Sequence, residues 1–141
     1  MQTRDNHARF DPGYHFFLLP LWLLAFLWTL YLVYRHHSQT SVVLVLLAFA
    51  LGTAIFKLRM YSLKVQDRLI RTEERIRIYQ LCTPEVASRA VAALTPAQYI
   101  ALRFASDAEL PQLVTATLDQ KLSRKDIKSR IQNWRADDFR V

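Results

Sequence analysis

Glycine is nearly missing from this chain and cysteine occurs once, with Gly 2 and Cys 1 in the whole sequence. Two glycines cannot build the Gly-rich loop that cradles a phosphate. The single cysteine, Cys82, excludes an intrachain disulfide and gives no sign of an oxidising compartment. Histidine is sparse as well. His36 and His37 are adjacent, so a helix splays them apart, while His7 and His15 stand at the other end of the first apolar run. No spacing of His, Cys or carboxylate suits a metal. A haem held by His15 from two copies is conceivable chemistry, but a polar residue at the edge of an apolar run is the ordinary reading. Ser/His/Asp and Cys/His sets have no support either. No catalytic, cofactor or metal residue is therefore assigned. Neither an enzyme nor a small-molecule substrate is expected.

Charge is also missing, but only in two places. From Phe16 to Tyr34 and again from Ser38 to Phe56 no Asp, Glu, Lys or Arg occurs. Each run approaches the roughly 20 residues that cross a bilayer core. The expected fold is all-α: a transmembrane two-helix hairpin (14–62, spans about 14–34 and 41–60), whose second helix continues into a helical tail of about four short helices (63–141). A signal peptide competes for the first run, since Arg4 and Arg9 precede it. No small-residue cleavage site follows, however, and Arg35-His36-His37 closes the run instead. Lys57, Arg59, Lys64, Arg68 and Arg71 follow the second run, whereas only Arg35 lies between the two. The positive-inside bias then puts both termini, the segment 1–13 and the tail in the cytoplasm.

A hairpin turning near residue 38 places Thr29 opposite Ala48 and Ala25 opposite Gly52. Small residues there let helix backbones approach, within one chain or between two copies. Pro20 removes one backbone donor and is expected to kink the first span. The spans carry no central acid or base, which argues against a proton relay.

Past the membrane, "KVQDRLIRTEER" (64–75) has no Gly or Pro and reads as a continuing helix to about Leu81. Asp67/Arg71 and Glu73/Arg77 are i,i+4 pairs in the favourable order. Lys57, Lys64, Arg68, Arg71 and Arg75 share a narrow sector that suits anionic lipid or an acidic partner, or merely solvent. Beside them Val65, Leu69, Ile76 and Tyr79 form an apolar stripe with 4-3-4-3 spacing through Thr72. It fits either a short coiled-coil seam or the chain's own later helices, and the latter is the expectation.

Those later helices announce themselves by start signals. Thr83-Pro84 and Thr95-Pro96-Ala97-Gln98 combine an N-cap with a first-turn proline, and Ser106…Glu109 and Ser123…Asp126 repeat the capping-box form. Helices are predicted over about 84–93, 96–104, 107–119 and 124–136. Their apolar stripes are Val86, Ala90 and Leu94; Ile100 and Phe104; Leu110, Leu113, Val114 and Leu118; Ile127, Ile131 and Trp134. The last helix would gather Lys121, Arg124, Lys125, Lys128 and Arg135 on one side. That patch lacks a base-reading motif and is diluted by Asp126, Asp137 and Asp138, so nucleic acid is not expected; acidic protein, anionic lipid or solvent are. Arg103 with Asp107 and Glu109 forms either a polar hook for a partner or an internal turn pair, the second being expected.

The segments "NHARFDPGYHF" (6–16), "LKVQDRLIRTEERIR" (63–77), "LTPAQYIALRFASDAELPQLV" (94–114) and "IKSRIQNWRADDFRV" (127–141) resemble an uncharacterised bacterial family of small two-span membrane proteins, a domain-of-unknown-function family. The resemblance implies a bacterial inner membrane and transfers no functional residue. The function expected is a non-enzymatic membrane protein that assembles with itself or joins a larger membrane complex in the lipid bilayer. A homo-oligomeric pore and an anionic-lipid-binding regulator are the alternatives.

Overall fold

The computed structural model describes residues 11–137. Most of the expected N-terminal segment 1–13, with His7, lies outside them, as does the tail beyond Asp137, including Asp138. Helices alone build the described chain apart from one isolated bridge: α1 (Leu19–His36), α2 (Gln39–Leu81), α3 (Pro84–Ala93), α4 (Pro96–Leu102), α5 (Leu110–Gln120) and α6 (Arg124–Arg130). Two stretches, Gly13–His36 and α2, are long and apolar enough to cross a membrane. The chain divides into two compact units between Leu63 and Lys64.

In the first unit the disturbance expected at Pro20 takes the form of a π-helical turn, Gly13–Leu18, leading into α1. Pro20 has no N–H to return to the preceding turn. The Leu19 N–H reaches back to the Tyr14 carbonyl, one residue further than an α-helix would. At its other end α1 stops on His37, whose left-handed conformation (φ 49°) reverses the chain while its N–H still bonds to the Val33 carbonyl at 3.0 Å. Ser38 then starts α2 by accepting the Ser41 N–H at 3.2 Å.

The crossing register differs from the one expected. Trp22 lies against Gly52, and its Nε1 donates to the Ala48 carbonyl at 2.8 Å. Trp22, Phe26 and Thr29 on α1 and Val45, Ala48, Gly52 and Ile55 on α2 are half-buried, whereas Ala25 is exposed. The turn centres on His37 and a large indole occupies the notch, so the pairing slides and Ala25 rotates outward. Gly52 is small because an aromatic ring, not a second small residue, rests on it.

The second unit, from Lys64 onward, is a helical cluster built on the end of α2. α3 begins and ends where its Thr83-Pro84 start predicts. α4 carries a complete capping box, with the Thr95 N–H bonding to Gln98 Oε1 at 2.8 Å, and α6 repeats it between Ser123 and Asp126. Ile78 from α2 joins Ala87, Ala90, Leu94, Tyr99, Leu102, Phe104, Leu110, Val114 and Ile127 in one core. Val86, Leu118 and Trp134 pack against it half-buried. The Tyr99 hydroxyl, wholly buried, donates to the Ala90 carbonyl at 3.1 Å, which satisfies its one polar atom.

Three boundaries depart from prediction. α4 ends at Leu102 rather than 104. α5 starts at Leu110 rather than 107, because Glu109 leaves its own helix and binds the 132–133 backbone. α6 ends at Arg130, and the following segment is extended: Ala105 and Trp134 form an antiparallel bridge, with the Arg135 N–H on the Phe104 carbonyl at 2.8 Å. Trp134 stacks on Phe104 with centroids 4.4 Å apart, so it reaches the core from a strand-like segment and not from a helix stripe.

Candidate functional site

The last turns of α2 present two opposite faces, and their chemistry inverts the usual arrangement. Ile70, Glu74, Arg77 and Ile78 recur at helical spacing, and all four are buried. Val65, Leu69, Ile76 and Tyr79 are 66%, 57%, 55% and 56% exposed. The chain's own later helices therefore do not cover the apolar stripe, contrary to expectation; they pack on the face that carries the ions.

What makes an ionic face buriable is complete pairing. Arg77 donates from Nε to Asp107 at 2.7 Å, from Nη1 to Glu74 at 3.1 Å and from Nη2 to the Ala105 carbonyl at 2.7 Å. Arg77 thus takes Glu74 and Asp107, not the Glu73 expected from i,i+4 spacing, and among the described residues no ion pair joins Asp67 to Arg71. Arg135 approaches the other Glu74 oxygen at 3.9 Å. Burial pushes the Glu74 carboxyl above its ordinary value, against the pull of Arg77.

Arg103 is also buried, with its guanidinium against the Phe104 ring at 4.4 Å and Nε 3.3 Å from the Asp137 carboxylate. Its acid comes from the extended segment and not from the Asp107 turn. Glu109 accepts the Gln132 N–H at 3.1 Å and the Asn133 N–H at 2.7 Å. Desolvation alone would raise its carboxyl, but the donations from Asn133 and Gln132 outweigh it and hold the group below its ordinary value. The "RFASDAE" block is thus internal structure: its three charged side chains fix α2 and the 131–137 segment to the core. A cavity of about 660 Å³ runs between these elements, lined by Leu69, Glu73, Ile76, Arg77, Arg103 and Arg135 among others.

The predicted basic contacts divide by surroundings. Lys57, Lys64 and Arg68 are exposed and Arg71 is half-buried, while Arg75 leans over the Tyr99 ring at 5.7 Å. The second patch is not a single helix face. Lys121 is the left-handed residue closing α5, Arg124 and Lys125 are exposed at the start of α6, Lys128 lies over Phe104 at 5.0 Å, and Arg135 sits beyond the helix beside Glu74. Arg59, grouped with the topology-setting cations, pairs with Asp11 at 3.5 Å and covers the Tyr14 ring at 5.4 Å, closing the open end of the hairpin.

Sequence reasoning missed Glu74 and Tyr99, and gave Arg77 the wrong partner and face. The signal was there for Glu74 and Arg77: they share the period of Ile70 and Ile78, which a charge count hides. Cys82 lines a separate groove between α3 and α5, where burial pushes its thiol up and so away from the reactive thiolate. Among the described residues no three His, Cys, Asp or Glu side chains gather to hold a metal. A family model described as "Family of unknown function (DUF6526)" matches residues 1–141. No curated protein and no solved structure matches the chain.

Proposed function

Since the chain belongs over its whole length to this family of unknown function, we propose on its geometry that it is a non-enzymatic, membrane-anchored assembly module. In this reading the hairpin 14–62 sits in a bacterial inner membrane, both termini face the cytoplasm, and the helical tail 63–141 joins copies of itself or a larger membrane complex. One observation carries it. The tail buries charged Glu74 and Arg77 on one side of α2 and leaves Val65, Leu69, Ile76 and Tyr79 exposed on the other. A helix whose apolar side is left to water while its ionic side is covered has its hydrophobic contact still to make.

The hairpin supports an anchor better than a pore. Its two mid-span threonine hydroxyls are already bonded within their own helices, Thr29 to the Phe26 carbonyl and Thr53 to the Ala50 carbonyl, each at 2.7 Å. A lipid-reading regulator would have to act through exposed Lys57, Lys64, Arg68, Arg124 and Lys125. Native mass spectrometry of gently solubilised membranes tests the module: species heavier than one chain are expected, and a bare monomer with no partner would refute it. A reporter fused after Val141 should be active in the cytosol, and activity only outside it would overturn the topology.

A further inference from the structure

The exposed side of α2 has the spacing of a two-stranded seam. Val65, Thr72 and Tyr79 take d positions of a heptad, and Leu69 and Ile76 take the a positions between them. Thr72 fits this placement because its hydroxyl is already bonded to the Arg68 carbonyl at 3.1 Å, leaving its methyl to face outward. Ile70, Glu74, Arg77 and Ile78, the residues that bind the rest of the tail, fall on b, c and f positions. Among the described residues none buries the seam, although Leu69 and Ile76 also border the cavity that Arg103 and Arg135 line.

Flanking charges identify the occupant. Arg68 stands at a g position and Glu73 at the e position of the next heptad, and both are exposed. In a parallel, in-register pair, the g residue of one helix meets the following e residue of its partner, so Arg68 and Glu73 would form the same ion pair twice, once on each side. An antiparallel pair would instead set Arg68 against Arg75, a repulsion. We propose that the occupant is a second copy of this chain, docked in parallel and in register along Val65–Tyr79. This inference rests on the membrane-anchored reading above, which supplies the orientation: two copies inserted the same way in one bilayer can meet only in parallel. Anchoring also explains how two heptads suffice. Such a seam is too short to hold free helices together, but confinement to one membrane raises the effective concentration of the partner helix.

The test uses the full chain in lipid nanodiscs with Cys82→Ser, which removes its only cysteine. Single cysteines are then introduced as Leu69→Cys or Ile76→Cys on the seam, or Asp67→Cys on the exposed f position. Mild oxidation should give covalent dimers from the first two at rates at least about tenfold above the third, as a-position pairing requires. Adding Arg68→Glu should lower the Ile76→Cys dimer yield about fivefold, and combining it with Glu73→Arg should restore the yield. Equal yields at all three positions, or a charge inversion without effect, would overturn the parallel seam. If the unmutated chain is heavier than a monomer by native mass while the seam cysteines stay unlinked, the second copy is refuted here and the assembly module stands. If the unmutated chain is monomeric and partnerless, both fall.

Discussion

Replacing Gly52 by alanine is expected to loosen the hairpin by about 2–5 kcal/mol, from two separable effects. A Cβ built at Gly52 meets the Trp22 ring, with the indole nitrogen at 2.8 Å and two ring carbons closer. Forcing a methyl into a filled contact costs about 1–3 kcal/mol. The ring must then move, which breaks the Nε1 donation to the Ala48 carbonyl; an interhelical hydrogen bond in lipid contributes about 0.6–2 kcal/mol. Reversible unfolding of the full chain in mixed micelles, followed by circular dichroism, reads the sum. Coupling identifies the cause: with Trp22→Phe in the background, Gly52→Ala should cost at least about 1 kcal/mol less than alone. The control is Ala25→Leu, which faces outward and should change stability by less than about 0.5 kcal/mol. Additive effects of Gly52→Ala and Trp22→Phe, or a larger loss at Ala25 than at Gly52, would show that the indole does not set the crossing.

Three more outcomes are expected of the tail. Arg77→Ala should destabilise it by about 3–5 kcal/mol in denaturant unfolding, because buried Glu74 keeps only the more distant Arg135 and the Ala105 carbonyl loses its donor; a loss under about 1 kcal/mol would contradict the pairing. Trp134→Ala should cost about 2–3 kcal/mol through the lost stack on Phe104, half-buried as it is, and should increase proteolysis between Arg130 and Asp137. In acid the two glutamates act in opposite senses. Glu109 is held below its ordinary value of 4.5, so its stabilisation is present above that pH and fades as the pH falls through the folded value. Glu74 is raised above 4.5, so its contribution is fully present below that pH and is lost as the pH climbs through the folded value. A pH series of unfolding should therefore lose its acid-side fall in Glu109→Gln and its rise toward acid in Glu74→Gln. Unchanged pH profiles in both variants would contradict these assignments.

Local signals were legible in the sequence and distant ones were not. The two apolar runs, the Thr83-Pro84 start, and the Thr95/Gln98 and Ser123/Asp126 boxes all depend on residues within a few positions of one another. Each appears where the chain indicated. The apolar stripes of α3 to α6 likewise identified most of the core. The errors share one origin, a partner far along the chain. Glu109 could satisfy either its own helix or the amides of 132–133, and only the fold brings the second choice near. Trp134 fits a helical period, yet the bridge to Ala105 draws it out straight. Helical periodicity on α2 offered two stripes, and hydrophobicity favoured the one that is left open. The buried stripe prevailed because Asp107 and the Ala105 carbonyl, about 30 residues away, complete the shell around Arg77.

The extended segment after α6 also sets an order of events during synthesis. A chain cut short at residue 130 would keep the described helices of the tail, yet Phe104 would lose its stack on Trp134, Arg103 its Asp137 and Glu109 the amides of 132–133. Such a product would be helical but unlatched, and its grease and stray charges would be what chaperones and proteases meet. Completion of the tail thus waits on residues 131–137, the last stretch the structure describes.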